Sequence, residues 1–95
     1  MTVQHDPEHF RFVVPVADGE AQLIYAPFGD DILELQHTEV PPSGHGQGIG
    51  DALVRAALAY ARDHGLNVIA TCPYVQSWLR RHPDERPQPK AERPA

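Results

Sequence analysis

The pattern of apolar and polar residues between positions 10 and 40 predicts three strands, and turn signals separate them. Residues 10–16, FRFVVPV, and 21–26, AQLIYA, are rich in β-branched and aromatic residues, which favour strands. Residues 32–40, ILELQHTEV, alternate as a half-buried strand does. The turn signals between the three are DGE at 18–20 and PFGDD at 27–31. Such short links predict an antiparallel meander.

The spacing of apolar residues changes to a helical period after residue 48. The apolar positions of one helix face are Ile49, Leu53, Val54, Ala57, Leu58 and Ala61. His64 followed by Gly65 supplies a stop signal, so we predict that the helix ends there. This amphipathic run follows directly on a glycine-rich stretch, which places that stretch at a strand-to-helix turn.

Two further elements follow the predicted helix. Residues 67–72, NVIATC, form a short and almost wholly apolar run, which is typical of a strand covered on both faces and therefore parallel to a neighbour. Residues 73–82, PYVQSWLRRH, place apolar side chains on one helical face and end before Pro83. These side chains are Val75, Trp78 and Leu79.

The predicted order of elements is β-β-β-α-β-α, an α+β fold with a mixed sheet. A right-handed helical crossover returns the last strand parallel to the third. We expect one domain over residues 1–83. Residues 84–95 are rich in proline and nearly devoid of apolar side chains, so they cannot bury enough surface to offset the entropy of ordering. We predict a disordered tail there.

The composition and net charge of the chain argue against some classes of binding partner. The 95-residue chain is 41% hydrophobic, enough for one modest core that a weak homodimer or a bound ligand would help to stabilise. Its formal net charge of −5 and the lack of a basic run argue against nucleic acid or an anionic membrane as partner. No apolar stretch is long enough to span a bilayer, and the N-terminus lacks a signal-peptide pattern. We therefore expect a cytoplasmic protein, monomeric or weakly dimeric.

The cysteine and histidine content gives no sign of a metal site. Cys72 is the only cysteine, which excludes an intrachain disulfide and a cysteine-cluster metal site. The six histidines are scattered, and only His5 and His9 have the i, i+4 spacing that lets two side chains share an ion from one helix face. Both lie in a polar N-terminal lead, where solvated side chains are expected. We predict no structural metal.

The stretch SGHGQGIG, residues 43–50, has glycine at every second position just before the predicted helix. It matches neither the Walker motif, which needs a Gly-Lys pair, nor the G-x-G-x-x-G dinucleotide motif. Glycines still let successive N–H groups converge on an anion, and the free N–H groups and dipole at a helix start favour phosphate. A flexible connector is the alternative, but strict alternation running into a helix favours an anion-binding loop.

A third phosphate-binding pattern fits this loop. The Gcn5-related N-acetyltransferases carry Arg/Gln-x-x-Gly-x-Gly/Ala at the strand-to-helix turn that grips the pyrophosphate of coenzyme A. Residues 45–50, HGQGIG, resemble this pattern at Gly48 and Gly50 and depart from it at His45. The resemblance extends over residues 37–83, where an HTxV strand end, a GxGIG loop and a CxYV segment are similar to a small single-domain acetyltransferase-like family.

The resemblance implies a minimal acyl-coenzyme A N-acyltransferase fold with acetyl-coenzyme A as co-substrate. Two strands that splay apart, here the third and the last, would form a slot for the pantetheine arm. The backbone of Val40 would hydrogen-bond to that arm, and Pro41 and Pro42 would keep this edge unpaired because proline cannot donate to a ladder. The residues that would hold the pyrophosphate are His45, Gly46, Gln47, Gly48, Ile49 and Gly50.

Cys72 ends the last predicted strand and precedes Pro73, a favoured first helical residue. We therefore predict that Cys72 is a helix N-cap, where the helix dipole favours the thiolate. Position alone leaves a buried core cysteine equally open. The resemblance places a cysteine beside the thioester, which favours a functional role. Cys72 would then be a nucleophile that forms an acetyl-cysteine, or a contact to the acetyl group.

Acetyl transfer to an amine also requires a base for the ammonium group and an acid for the departing thiolate. Glu39 is the first candidate base and His37 the second, and the two share a strand face because they are two residues apart. Tyr74 is the candidate acid that would protonate the sulfur. Each of these three is explained equally well as an ordinary polar or amphipathic residue, and we assign Trp78 to the core.

Two functions remain open at this point. The first is an acetyltransferase that acts on a small-molecule or peptide amine, directly or through Cys72. The second is a non-catalytic coenzyme A or acyl-coenzyme A binding module that acts through a partner, since so small a domain has little wall left to bind an acceptor. The net negative charge is compatible with a cationic acceptor.

Overall fold

The computed structural model describes residues 2–87 as a five-stranded mixed sheet with two α-helices. The strands are β1 (Gln4–Asp6), β2 (Arg11–Val16), β3 (Gly19–Phe28), β4 (Ile32–Glu39) and β5 (Asn67–Ala70), and the helices are α1 (Ile49–Asp63) and α2 (Pro73–Arg81). The strands follow chain order across the sheet, and all neighbours are antiparallel except β4 and β5, which are parallel. The predicted α+β class, antiparallel meander and helical crossover are confirmed. Among the described residues, no helix is long and apolar enough to cross a bilayer.

Both helices contribute to a hydrophobic core on one face of the sheet. α1 buries the six apolar residues predicted for its inner face, and α2 buries Val75, Trp78 and Leu79. The strand residues of this core are Phe12, Val14, Ala21, Leu23, Tyr25, Leu33, Leu35 and Val68. Trp78 Nε1–H donates to an Asp51 carboxylate oxygen at 2.8 Å, so the one polar atom of this buried ring is satisfied.

The opposite face of the sheet, here called the open face, has no covering layer within the described part of the chain. Phe28 and Ile69 lie on it and are 50% and 44% exposed. Ile69 stands between Val68 and Ala70, which contact the core, so its side chain faces the other way. β5 is therefore an edge strand with one covered face. The prediction that it is covered on both faces is wrong, because an apolar run does not distinguish a buried side chain from an exposed one.

β1 is a strand that the sequence pattern did not predict. It pairs with β2 and places His5 opposite Phe12. The two rings stack with centroids 4.4 Å apart, and His5 Nε2 lies 2.6 Å from the Tyr25 hydroxyl. His5 is exposed, as expected for the polar lead, but these two contacts hold its ring in place. β1 has only three residues, all polar, so its pairing depends on contacts with distant residues and not on its own pattern.

Acidification is expected to loosen β1. Burial, and after it the nearby His64, lowers the pKa of His5 below its usual 6.5, so the folded protein favours the neutral imidazole. A group whose pKa is lower in the folded than in the unfolded protein stabilises the fold at pH values above its unfolded pKa. That stability is lost as the pH falls through the folded pKa. Amide-exchange protection of β1 should therefore fall as the pH is lowered below about 6.5. His5→Phe, which retains the stacking, should remove this dependence; an unchanged pH response in that variant would contradict the assignment.

The folded part of the chain extends beyond residue 83, where the sequence predicted its end. Pro83–Glu85 form a short 3₁₀ turn after α2. Arg86 Nη1 donates to the backbone oxygen of Val68 at 2.6 Å, and Pro87 is buried. The predicted disordered tail therefore starts too early, because these residues pack against α2 and β5. Its remaining residues, 88–95, lie outside the described part of the chain.

Candidate active site

β4 and β5 run side by side for four residue pairs and then diverge. Their parallel pairing covers the first four residues of β4 and the whole of β5. Where it ends, the backbone oxygen of Leu35 accepts hydrogen bonds from the N–H groups of both Thr71 and Cys72, at 3.0 and 3.2 Å. β4 continues to Glu39, and within the described residues no strand pairs with this last part on the β5 side. A fork therefore opens between the two strands.

A β-bulge at Gln36 decides which side chains of β4 face the fork from the helix side. The pairing with β3 skips Gln36, because Leu35 and His37 pair with consecutive residues of β3. The extra residue shifts the alternation of side chains by one. Leu35 faces the core, and after the bulge Thr38 and Val40 continue on that side.

The structure explains why glycine occupies each of the four alternate positions of the turn. Gly46 and Gly48 have φ values of +78° and +73°, in the left-handed region that residues with a Cβ rarely adopt. Gly44 and Gly50 lack space for a Cβ. On Gly44 that atom would lie 2.9 Å from its nearest neighbour, and on Gly50 it would lie 2.7 Å from the Tyr74 hydroxyl oxygen. The alternation thus produces a tightly packed turn and not a flexible connector.

This turn presents the start of α1 with free backbone donors. Gly48 is the N-cap residue, and the first helical hydrogen bond runs from Ala52 N to Gly48 O at 3.0 Å. The N–H groups of residues 49–51 therefore have no acceptor within the helix, and together with the helix dipole they favour an anion. Gln47 Nε2 donates to the backbone oxygen of Ser43 at 2.8 Å, which holds the turn closed.

A groove of about 340 Å³ joins the start of α1 to the fork. Its lining consists of Thr38, Val40, Gly44, His45, Gly46, Gly48, Ile49, Gly50, Asp51 and Tyr74. His45 Nε2 lies 2.9 Å from the backbone oxygen of Val40. Because a carbonyl oxygen can only accept, Nε2 carries the hydrogen, and Nδ1 of the neutral ring remains an acceptor. The residue that departs from the family pattern is thus tied to the strand that borders the groove.

Tyr74, in the first turn of α2, places its hydroxyl in the groove beside Gly50. Burial first, and then the negative charge of Asp51, raises the pKa of Tyr74 above its usual 10.0, so the hydroxyl is protonated near neutral pH. Asp51 accepts hydrogen bonds from the Trp78 indole at 2.8 Å and from Arg55 at 3.0 Å, and these bonds lower the Asp51 pKa. A protonated hydroxyl and an ionised carboxylate therefore share the groove.

Cys72 occupies the N-cap position of α2, as predicted. Its side chain is buried, with 3% exposure. The sulfur lies 3.6 Å from the hydroxyl oxygen of Thr38 on the other arm of the fork, and it forms no hydrogen bond that caps the helix. Cys72 therefore belongs to the hydrophobic core, and it adjoins the groove through its contact with Thr38, which lines the groove.

The structure brings together some of the predicted site residues and separates others. Val40, Tyr74 and five of the six loop residues 45–50 line the groove. Gln47 does not line it, and its side chain turns to Ser43. Cys72 is buried in the core beside Thr38, which lines the groove. The two candidate bases do not line the groove. His37 and Glu39 occupy the intervening positions of β4 and lie on the open face, where Glu39 accepts a hydrogen bond from Gln22 Nε2 at 3.0 Å. Their expected role beside the thioester therefore has no support in the groove geometry, because the bulge turns them to the other side.

Two side chains of the groove, Thr38 and Asp51, were not predicted from the sequence. Thr38 reaches the groove because of the bulge, which no sequence signal marks. Asp51 is an acidic residue in the first turn of a helix, a common stabilising placement, so its residue type did not single it out. Across residues 2–87, no group of three or more histidine, cysteine, aspartate or glutamate side chains is placed to hold a metal ion.

The residues present fit coenzyme A. A phosphate group finds free N–H donors at the start of α1, and an extended arm finds the edge of β4 beyond Leu35. The small uncharged side chain of Thr38 lines the groove at the fork, where a thioester would lie. A mixed sheet whose parallel strands diverge beside such a helix start defines the class of acyl-coenzyme A N-acyltransferase folds.

The chain belongs to the GCN5-related N-acetyltransferase family, whose profile matches residues 11–87. Protein NATD1 of Gallus gallus and that of Homo sapiens are each 36% identical to it over 83 residues, which is 85% of this chain and 76% and 74% of theirs. The NMR solution structure of a GCN5-like protein from Staphylococcus aureus is similar with a TM-score of 0.71, at 22% identity, over 88% of this chain and 82% of that one. The structural likeness confirms the fold, and the family match indicates acyl transfer in general.

Proposed function

We propose that the protein binds acetyl-coenzyme A in the groove at the start of α1 and transfers the acetyl group to a small-molecule or peptide amine, directly or through Cys72. The observation that carries this proposal is the junction of the free N–H groups of residues 49–51 with the fork between β4 and β5. Acetyl-coenzyme A supplies an activated thioester, and it is the general co-substrate of the family.

Each part of the groove has one task in this proposal. The turn and the N–H groups of residues 49–51 bind the pyrophosphate, and the backbone of Val40 orients the pantetheine arm. Thr38 and Cys72 flank the reacting thioester at the narrow end of the fork. The Tyr74 hydroxyl, which is protonated near neutral pH, donates a proton to the departing sulfur. The amine attacks in its neutral form, and the proton that its nitrogen loses on acylation passes through water and restores the hydroxyl.

A second candidate function is a non-catalytic coenzyme A or acyl-coenzyme A binding module that acts through a partner. The position of His37 and Glu39 on the open face favours this alternative, because neither reaches the groove as a base for the amine. The carboxylate that does line the groove, Asp51, is engaged by Trp78 and Arg55. Both candidate functions require coenzyme A binding, and they differ in turnover.

Two measurements test these functions in order. Calorimetric titration with coenzyme A should show one site per chain, and an absence of binding would refute both candidates. Release of free coenzyme A thiol from acetyl-coenzyme A, measured over a panel of primary amines, then separates them. Amine-dependent release supports the acetyltransferase, and binding without release supports the binding module.

Intact mass distinguishes direct transfer from transfer through Cys72. A cysteine nucleophile needs a base within hydrogen-bond reach, and the side-chain contact of the buried Cys72 thiol is the Thr38 hydroxyl. We therefore expect direct transfer, with no stable acetyl adduct on the wild type. Cys72→Ser should then keep coenzyme A binding and retain turnover within about tenfold. An adduct of about 42 Da that disappears in Cys72→Ser would establish the covalent route instead.

A further inference from the structure

We infer that the amine acceptor binds on the open face at Glu34, as an alkylammonium group carried by an apolar stem. This inference rests on the proposed function and adds the class of the acceptor and the side from which it enters. The groove for coenzyme A lies on the helix side of the sheet, so the two substrates meet at the fork from opposite faces.

Glu34 lies on β4 just before the strands diverge. One of its carboxylate oxygens accepts a hydrogen bond from Thr71 Oγ1 at 2.9 Å, and the other accepts one from Gln36 Nε2 at 3.2 Å. Thr71 immediately precedes Cys72, and Gln36 is the bulge residue, so the carboxylate is held between the two arms of the fork. Its orientation is therefore fixed at the point where the open face meets the reacting centre.

The Glu34 carboxylate belongs to none of the ion pairs formed within residues 2–87. Arg11, a cation of the same sheet face, is engaged by Asp6 and Glu20, each at 3.0 Å. A carboxylate with one hydrogen bond on each oxygen keeps further lone pairs for a charged donor. Glu34 therefore has the charge and the free acceptor capacity to bind an ammonium group.

Apolar side chains flank Glu34 on both neighbouring strands. Ala26 of β3 and Ile69 of β5 are its direct partners in the sheet. Ile69 is 44% exposed, and Ile24 and Phe28 continue the apolar surface along β3. An alkylammonium can place its charge on Glu34 and bury its stem against Ile69, whereas a polyamine would desolvate further charges on this surface. The acceptor class is thus a primary amine with an apolar stem, free or at the end of a side chain.

Titration of the isotope-labelled protein with n-hexylammonium chloride tests this subsite directly. We expect amide shift changes centred on Glu34, Gln36, Ile69 and Thr71, both in the free protein and in protein saturated with coenzyme A. Glu34→Gln keeps the shape and an acceptor for Thr71 but removes the charge, so it should weaken n-hexylammonium binding about fivefold or more. Glu39→Gln, a matched control on the same strand and face, should change the affinity less than about twofold.

A second variant tests the apolar stem. Ile69→Ser should weaken n-hexylammonium binding about threefold and leave methylammonium binding unchanged, because only the longer amine reaches this side chain. In turnover assays, Glu34→Gln should raise KM for n-hexylamine more than KM for acetyl-coenzyme A.

The possible failures are distinguishable. Equal n-hexylammonium affinity in the wild type and Glu34→Gln, shift changes centred on Glu39, or no shift changes at all would overturn the Glu34 subsite. Failure of coenzyme A to bind in calorimetry would instead refute the proposed function. The ammonium titration of the free protein gives its result in either case.

Discussion

Replacing Tyr74 by phenylalanine is expected to lower the rate of acetyl transfer about 100-fold or more, with coenzyme A affinity nearly unchanged. The hydroxyl lies in the groove, and burial together with the charge of Asp51 raises its pKa, so it is a proton donor throughout the neutral range. Phenylalanine keeps the ring and removes only this donor. The check is kcat with acetyl-coenzyme A and the fastest amine of the panel, beside Kd from calorimetry.

Tyr60→Phe is the matched control for this experiment. It removes the hydroxyl of a tyrosine near the other end of α1, in an aromatic cluster with His5 and Tyr25 and away from the groove. We expect its kcat to equal that of the wild type within about twofold. Wild-type kcat in Tyr74→Phe would show that the departing sulfur takes its proton from another source.

Gly50→Ala is expected to weaken coenzyme A binding about tenfold while leaving the fold at least as stable. The added Cβ would lie 2.7 Å from the Tyr74 hydroxyl oxygen and 3.0 Å from the ring carbon that bears it, so the Tyr74 side chain must move within the groove. Alanine has a higher helix propensity than glycine, so the change favours α1 itself. Calorimetry measures the loss of coenzyme A affinity. Thermal unfolding measures the stability of the fold, which should stay equal or rise.

A double variant shows whether the contact with Tyr74 is the cause. In a Tyr74→Ala background the space for the new Cβ is free, so Gly50→Ala should then change Kd less than about threefold. An equal loss in both backgrounds would indicate that the methyl group blocks the ligand directly, without acting through Tyr74.

Much of the fold could be predicted from the sequence because its longer elements carry their own period. The inner face of α1 extends over fifteen residues, and all six apolar positions predicted for it are buried. The tight turn before α1 could also be predicted, since its signal is the glycine spacing itself. The structure adds that two of these glycines adopt positive φ values, and that at the other two a Cβ atom would collide with a neighbouring side chain.

The rest depends on contacts between residues that are distant in the chain. β1 is too short to show a period, and His5 is fixed by Phe12 and Tyr25 from two other strands. The exposure of Ile69 reflects the position of β5 at the sheet edge, which its apolar sequence does not reveal. Such features follow from topology, so a local pattern cannot contain them.

The positions of the two candidate bases, His37 and Glu39, likewise could not be predicted from a local sequence pattern. Strict alternation from Leu35 would place His37 and Glu39 on the helix side of β4, beside the groove. The bulge reverses this assignment, and it also leaves Glu34 and Gln36 together at the fork. Residue types and spacing thus pointed to candidate groups, whereas the side of the sheet on which each β4 residue lies required the register of the strands.

The bulge at Gln36 behaves like a change of reading frame within a strand. Deleting that one residue would restore regular alternation without turning any groove side chain away, because Thr38 and Val40 would still follow Leu35 at every second position. If β4 instead kept Gln36 and lost the bulge, His37 and Glu39 would face the groove in place of Thr38 and Val40. The one extra residue therefore keeps this wall of the cavity uncharged, and the acid–base character of the cavity depends on the register of β4 against β3.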